Sequence, residues 1–492
     1  MFSAPQVVEL SDSESLTSNS IEDTLRNLHD LSETKRTLTA RRTRKIVRLV
    51  ADAFSGYVCA SLLPILMAVG LVWAQPAKLP PNRPDAIVAI ADVHGDFDDF
   101  VAILQRADLT DKENHWAGGK TTFVQVGDLL DRGPNSRKVM DLMMALEQGA
   151  GQAGGRVVSL LGNHEMMNIM GDLRYVTPAD FASYADTDSE ARRKTAYATY
   201  VKWRDNHAAL LAELPQPMEL TEPEWMARHP LGLLEQRDAF ALNGKYGEWL
   251  RGHPAVAEIQ GTIFLHGGIQ PGLAKTTIAS MDSKIHDEIK EFDSTKQYLQ
   301  DENLILSFFN LQELANVLQA EIIAEQKSRV PVNAPRQDKI LKFLNFQDWL
   351  SVRVDGLLWF RGYDQWNEED GAVQITTILS AYKATHIVVG HTVQKGGRIR
   401  PRFDDRVFLI DTGMLSSYYP GGRASALKIC GDTKFTAIYR DQSVDLINSA
   451  AASTTNGLLA GNQAIRNGEP ISNHTVAPPI DGVCSATASA PK

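Results

Sequence analysis

Ala86-Ile87-Val88-Ala89-Ile90-Ala91-Asp92-Val93-His94-Gly95-Asp96 sets a short apolar run, rich in β-branched residues, directly against a cluster of acids and an imidazole. The run has the length and composition of a buried strand, and the polar cluster begins where that strand would end. Four more segments repeat the arrangement. Residues 121–126 lead into Gly127-Asp128-Leu129-Leu130-Asp131-Arg132-Gly133, and residues 156–161 into Gly162-Asn163-His164-Glu165. Residues 261–265 lead into His266-Gly267-Gly268, and residues 386–389 into Gly390-His391. Open α/β sheets collect their sites at the carboxyl ends of strands, so five segments are expected to deliver Asp, His and Asn side chains to one rim.

Spacing inside the first cluster points to metal. Residues two apart on a strand share a face, so Asp92 and His94 are expected to grip one cation while Val93 turns to the core. Mixed oxygen and imidazole donors suit Mn, Fe or Zn better than Ca or Mg, so the expected cofactors are two divalent or trivalent transition metals of that kind.

On these clusters the chain resembles the calcineurin-like metallophosphoesterases, and within them the phosphoprotein phosphatase group, over residues 85–441. The resemblance implies hydrolysis of phosphomonoesters on phosphorylated proteins by attack of a metal-bound hydroxide. It implies that Asp92 and His94 hold the first metal, that Asp128 bridges both, and that Asn163, His266 and His391 complete the second. Many relatives outside the phosphatase group carry a second His two residues after the last one. Val393 stands there in this chain, which favours the phosphatase group over broad phosphodiester chemistry.

By the same resemblance His164 is the general acid that protonates the leaving alkoxide, with Asp131 orienting its ring. Arg132 offers a bidentate fork to the phosphoryl oxygens, which Asn163 also contacts. Gly162-Asn163-His164-Glu165-Met166-Met167-Asn168-Ile169-Met170-Gly171-Asp172, Gly356-Leu357-Leu358-Trp359-Phe360-Arg361-Gly362-Tyr363 and Phe408-Leu409-Ile410-Asp411-Thr412-Gly413-Met414 are similar to the Shewanella-like protein phosphatases. That similarity implies Arg361 as a second phosphate-binding arginine. A hydrolase of small phosphoesters or dinucleotide polyphosphates, and a membrane-tethered scaffold with a vestigial site, stay open as alternatives.

Other polar residues read more plainly. Asp98 and Asp99 are expected to begin a helix over 99–106, where acids suit the positive dipole end. Glu165 reads as a helix-starting or supporting residue. His115, His207, His229, His253, His286 and His386 lie outside the clusters and read as structural.

The whole chain has 492 residues and a net charge of −10, which argues against a nucleic-acid partner, since that affinity depends on Lys and Arg neutralising phosphates. Cys59, Cys430 and Cys484 form neither a disulfide framework nor a zinc motif. The expected organisation starts with a polar, then basic N-terminal region, 1–52, which includes Arg41-Arg42-Thr43-Arg44-Lys45. Residues 53–77 carry no charged side chain, enough to cross a bilayer, and the preceding basic cluster sets the orientation of a single-pass type II anchor. That places the catalytic domain in a lumen or outside the cell, with a cleaved signal peptide and a buried or peripheral helix as the competing readings. A Pro-rich linker, 78–84, leads to a phosphoesterase domain, 85–448, and a flexible tail, 449–492. Helical insertions are expected between Gly171 and Gly261, with helices over 191–214 and 237–251, and over 280–355, with a helix over 304–326; both could form a lid over the metals. The fold class is thus an α/β metallophosphoesterase sandwich flanked by helices, with a membrane helix ahead of it.

Overall fold

The computed structural model describes residues 86–214, 220–327, 334–431 and 433–448. The expected N-terminal region, anchor, linker and tail lie outside the described residues. Among the described residues no helix is long and apolar enough to cross a membrane.

Two sheets face each other. The first has the order β11-β10-β9-β1-β2-β3, built from β1 (Ile87–Ile90), β2 (Thr122–Gln125), β3 (Arg156–Ser159), β9 (Ser425–Cys430), β10 (Lys434–Tyr439) and β11 (Ser443–Asn448). The second has the order β4-β5-β6-β8-β7, from β4 (Val256–Ile259), β5 (Thr262–Leu265), β6 (His386–Val389), β7 (Arg400–Arg402) and β8 (Val407–Leu409). β1 pairs in parallel with β2, and β2 with β3. β5, β6 and β8 are likewise parallel. Strands of such a sheet are covered on both faces, and β1, β2 and β5 are buried throughout; Gln125 at the end of β2 is the polar exception, its amide donating to the Ala91 and Gly127 carbonyls. Ala89, Val124 and Val158 from one sheet meet Phe264, Val388 and Phe408 from the other in one core cluster. Phe408 and Phe435 stack across it with centroids 4.5 Å apart. Because the parallel strands run the same way within each sheet, their carboxyl ends share an edge.

Helices clothe the sandwich. α1 (Phe97–Arg106) is capped by Asp96, whose carboxylate accepts from the Asp99 amide at 3.2 Å, so the helix starts two residues before the expected position and Asp98 and Asp99 fill its first turn. α2 (Ser136–Ala153) ends at Gly154 in the left-handed conformation. α3 (Asn163–Met170) is buried at every residue.

The first insertion holds α4 (Ser189–Asn206), α5 (Leu233–Ala239) and α6 (Lys245–Arg251), and the second α7 (Ile278–Asp301), α8 (Leu311–Lys327) and α9 (Ala334–Leu344). α10 (Glu368–Tyr382) follows. Three helix expectations need correction. The helix expected over 191–214 stops at Asn206, where His207 caps it by turning its ring back to the Trp203 carbonyl. The helix expected over 237–251 is two, broken before Gly244. The helix expected over 304–326 starts at Leu311, because Asn310 and Glu313 exchange reciprocal cap bonds, both 2.9 Å. α7 escaped notice in the sequence, although Met281, Ile285, Ile289, Phe292 and Leu299 form its buried stripe.

The second insertion is held to itself by Glu288. Its carboxylate is 2 % exposed and accepts from the amides of Leu350 and Ser351 and from the Ser351 hydroxyl, at 2.8 to 3.0 Å. The chain that follows brings Leu357 onto the turn after β5, where its carbonyl accepts from the amides of Gly267 and Gly268. Glu288→Ala strands two buried amides, and we predict a loss of about 3 kcal/mol of unfolding free energy, read by urea denaturation. An unchanged midpoint would show that the clamp carries no stability.

Candidate metal centre

Asp92, His94, Asp128, Asn163, His266 and His391 converge on the shared rim, and each is at most 6 % exposed. Strand alternation does not place them. β1 ends at Ile90, and Asp92 and His94 sit in the loop beyond it. That loop is docked by the Asp128 carbonyl, which accepts from the amides of Val93 and His94 at 2.8 and 3.1 Å. His94, Asp128, Asp131, Arg132 and His391 all have left-handed backbone, with φ between 49° and 70°. Such conformations in non-glycine residues persist only where surrounding contacts over-determine them. Close approach explains the neighbouring glycines: a Cβ on Gly127 would lie 2.6 Å from the Gly162 Cα.

Hydrogen bonds fix which ring atoms face inward. His94 Nδ1 donates to the Leu130 carbonyl at 2.8 Å and His266 Nδ1 to the Val126 carbonyl at 2.9 Å, which leaves both Nε2 atoms with free lone pairs. His391 Nε2 donates to the Trp359 carbonyl at 3.1 Å, so its Nδ1 is the acceptor. Around His266 Nε2 stand Asn163 Oδ1 at 2.9 Å, His391 Nδ1 at 3.1 Å and Asp128 Oδ2 at 3.2 Å. Electron pairs therefore face electron pairs, an arrangement that calls for a cation or a proton. A second group lies alongside, with His94 Nε2 3.8 Å from both Asp92 Oδ2 and Asp128 Oδ2, and His164 Nε2 3.9 Å from Asp128 Oδ2.

Electrostatics set the protonation of each donor. Burial, followed by His164 and Arg132, holds His94 well below the usual imidazole range, and burial followed by His266 and Arg361 does the same to His391. Neutral imidazole is the form that gives a lone pair to a metal. Burial alone would raise Asp128, but His266 and His164 outweigh it and keep the carboxylate ionised. Burial would likewise depress His266, but Asp128 lifts it to about 9. His266 therefore carries a proton until a cation takes its place, and the donor set, oxygens and imidazoles around a shared carboxylate, fits two transition cations.

The remaining expected residues fall around this centre. His164 Nδ1 meets Asp131 Oδ2 at 2.6 Å, and Asn168 donates to the other Asp131 oxygen at 2.9 Å. Arg132 lies among the rings of Tyr175, Tyr418 and Tyr419, about 5 Å from each centroid, and its Nη1 is 3.0 Å from His94 Nε2. Arg361 is brought to the same cavity but donates to the His391 carbonyl and the Thr392 hydroxyl at 2.9 and 3.1 Å. The cavity holds about 330 Å³ and is lined by Asp128, Arg132, Asn163, His164, Trp359 and Arg361 together with Tyr175 and Tyr419. The lid expectation is corrected here: the first insertion contributes Tyr175 to this wall and the second contributes none.

Glu165 accepts from the amides of Asp128, Leu129 and Gly162 at 2.7 to 2.8 Å, which ties two loops together from below. Burial and the nearby Asp128 raise it to about 7. The outlying histidines stay out of the cavity lining. Sequence reasoning passed over Asp411 and Asn168. Asp411 is 2 % exposed, one of its oxygens lacks a partner, and burial lifts it to about 6 while it in turn raises Asp92. It follows β8 as the other clusters follow their strands, so the same strand-end pattern could have found it. Asn168 lies one turn after His164, on the same helix face.

Comparison with known proteins agrees with this geometry. The family model of the calcineurin-like phosphoesterases matches residues 86–395. The chain is 32% identical over 196 residues to Shewanella-like protein phosphatase 2 of Arabidopsis thaliana, spanning 38% of this chain and 47% of that protein. It is 25% identical over 356 residues to Shewanella-like protein phosphatase 1 of Plasmodium berghei, spanning 72% of this chain and 73% of that one. Among solved structures, the cold-active protein-tyrosine phosphatase of a psychrophilic Shewanella species aligns with a TM-score of 0.46 and 23% identity, covering 73% of this chain and 80% of that one. With a phosphoesterase model matched across most of its length and its donor side chains gathered on one rim, the chain belongs to the calcineurin-like phosphoesterase family and is a metallophosphoesterase related to the Shewanella-like protein phosphatases.

Proposed function

We propose that this chain is a two-metal phosphatase acting on phosphomonoesters of phosphorylated proteins. The observation that carries the reading is Asp128, one carboxylate shared by two compact donor groups, with His94 and His164 on one side and His266 and His391 on the other. In our assignment Asp92, His94 and Asp128 hold one cation, and Asp128, Asn163, His266 and His391 the other, with Mn, Fe or Zn best suited to the donors. When bound, the pair would activate water near neutral pH and neutralise charge on the phosphoryl oxygens.

The chain's own groups do the rest. His164 is assigned as proton donor rather than ligand: it lines the cavity beside Arg132, and its bond to Asp131 fixes the ring so that Nε2 hands a proton to the leaving oxygen. His94 Nε2 cannot serve both Arg132 and a cation, so Arg132 is assigned to substrate, and with Arg361 and Asn163 it grips the phosphoryl oxygens. Protein substrates are favoured by the relatives named as protein phosphatases. For localisation we propose the type II anchor over 53–77.

Asp128→Asn and His266→Ala are expected to abolish turnover and lower the metal content of the purified protein. His164→Asn should retain metal and lose about 10²- to 10⁴-fold in kcat. Loss of metal from the His164 variant would move that residue into the ligand set, and full activity in the Asp128 variant would sink the mechanism. A panel of phosphoserine, phosphothreonine and phosphotyrosine peptides run beside a dinucleoside tetraphosphate should give the higher kcat/KM with a peptide; preference for the nucleotide would replace the protein-substrate reading. The full chain should stay with membranes through alkaline carbonate extraction, and release into the supernatant would refute the anchor.

A further inference from the structure

A second cavity, of about 360 Å³, lies between α3, the segment joining α5 to α6, and α7. Arg237, Arg251 and Lys296 line it together with Asp238 and Asp293. Arg251 is satisfied within the protein, since its guanidinium meets both oxygens of Asp293 at 2.8 Å and also donates to the carbonyls of Phe240 and Gly247. Arg237 is not. It is 4 % exposed, its Nη1 donates to the Asn168 carbonyl at 3.0 Å, and its Nε has no hydrogen-bond partner. Lys296 sits in the same wall, and among the described residues neither cation has an ion-pair partner. Asp238 is exposed, where water screens it. Burial and then Arg251 hold Arg237 down at about 10, while burial and then Arg237 bring Lys296 to about 7. Glu313 and Asp238 lie near Arg237 and Asp293 lies near Lys296, but among the described residues none of them forms an ion pair with either cation, and a buried guanidinium beside a half-buried ammonium is unfavourable unless something supplies the charge.

We propose that this cavity binds a phosphate-like oxyanion between Arg237 and Lys296. A guanidinium with an unpartnered Nε in the same wall as a flexible ammonium suits a tetrahedral anion, and the volume falls in the class of small-ligand sites. The site also reaches the catalytic cavity from behind. Arg237 holds the Asn168 carbonyl, Gln236 holds the Asn168 amide oxygen at 3.0 Å, and Asn168 holds Asp131 and the His164 carbonyl at 2.9 and 3.0 Å. An anion on Arg237 therefore acts on the strut that keeps Asp131 against His164, and its binding and the hydrolytic rate are coupled.

Calorimetric titration of the metal-loaded full chain with sodium sulfate tests this. The wild type should bind one sulfate more per chain than K296M, and K296R, which keeps the charge, should recover it. Without sulfate, K296M should turn over as the wild type does. With sulfate, the wild type should show a change in kcat that K296M lacks. Equal stoichiometry in wild type and K296M overturns the proposal, whatever the catalytic site binds. O-phosphoserine in place of sulfate separates the sources: tighter binding at the Lys296-dependent site identifies a phosphoester, and tighter sulfate binding a free ion.

Discussion

Asp128 Oδ2, Asn163 Oδ1, His266 Nε2 and His391 Nδ1 are held with their electron pairs toward one another, and the rest of the molecule is organised to keep them there. Left to themselves these atoms would turn away to find donors. They cannot, because each ring is pinned on its far side by a backbone carbonyl: Val126 for His266 and Trp359 for His391. Asp128 is fixed from below by Glu165, which gathers the amides on either side of the metal loops. Left-handed backbone at five residues around the centre adds strain on the order of 1–3 kcal/mol each, which the buried sandwich beneath must sustain.

The two sheets supply that support with complementary parts. β1, β2 and β3 end in the loops of Asp92, Asp128 and Asn163, whereas β5, β6 and β8 end in His266, His391 and Asp411. The first sheet carries Asp92, His94 and Asp128 by itself, but the second donor group needs both sheets, since Asp128 comes from one and its histidine partners His266 and His391 from the other. The core packing of Phe264, Val388 and Phe408 against Ala89, Val124 and Val158 therefore sets the distances in the site as well as the stability of the fold. The first insertion works mainly from behind: Gln236 and Arg237 brace Asn168, which braces Asp131.

Much of this was legible in the chain. Strands over 87–90, 122–125, 156–159, 262–265 and 386–389 fall inside the segments read from the sequence, because each carries buried β-branched or aromatic residues at its centre or inner end even where a polar residue such as Arg156 or His386 opens it. The helical insertions were visible in outline only. Their ends depend on local capping, as at Asn310 and Glu313, and on breaks such as that before Gly244, which a periodicity argument does not weigh. Asp411 was quoted within a matching stretch without being recognised, since a lone acid after a short strand carries little signal until β8 is seen to lie beside β6.

By itself the sequence determined which residue types would stand at strand ends, and so which chemistry was available, because composition and strand length are local properties. Tertiary structure alone decided how those residues meet. That Asp92 and His94 are aligned by a left-handed turn docked on the Asp128 carbonyl rather than by strand alternation follows from contacts between residues far apart in the chain. So do the use of Arg132 against His94, the bracing of Asp131 through Asn168, and the unpaired Arg237 behind it. Hydrogen-bond geometry across distant segments has no signature in spacing, and it is that geometry which turns five polar clusters into one centre.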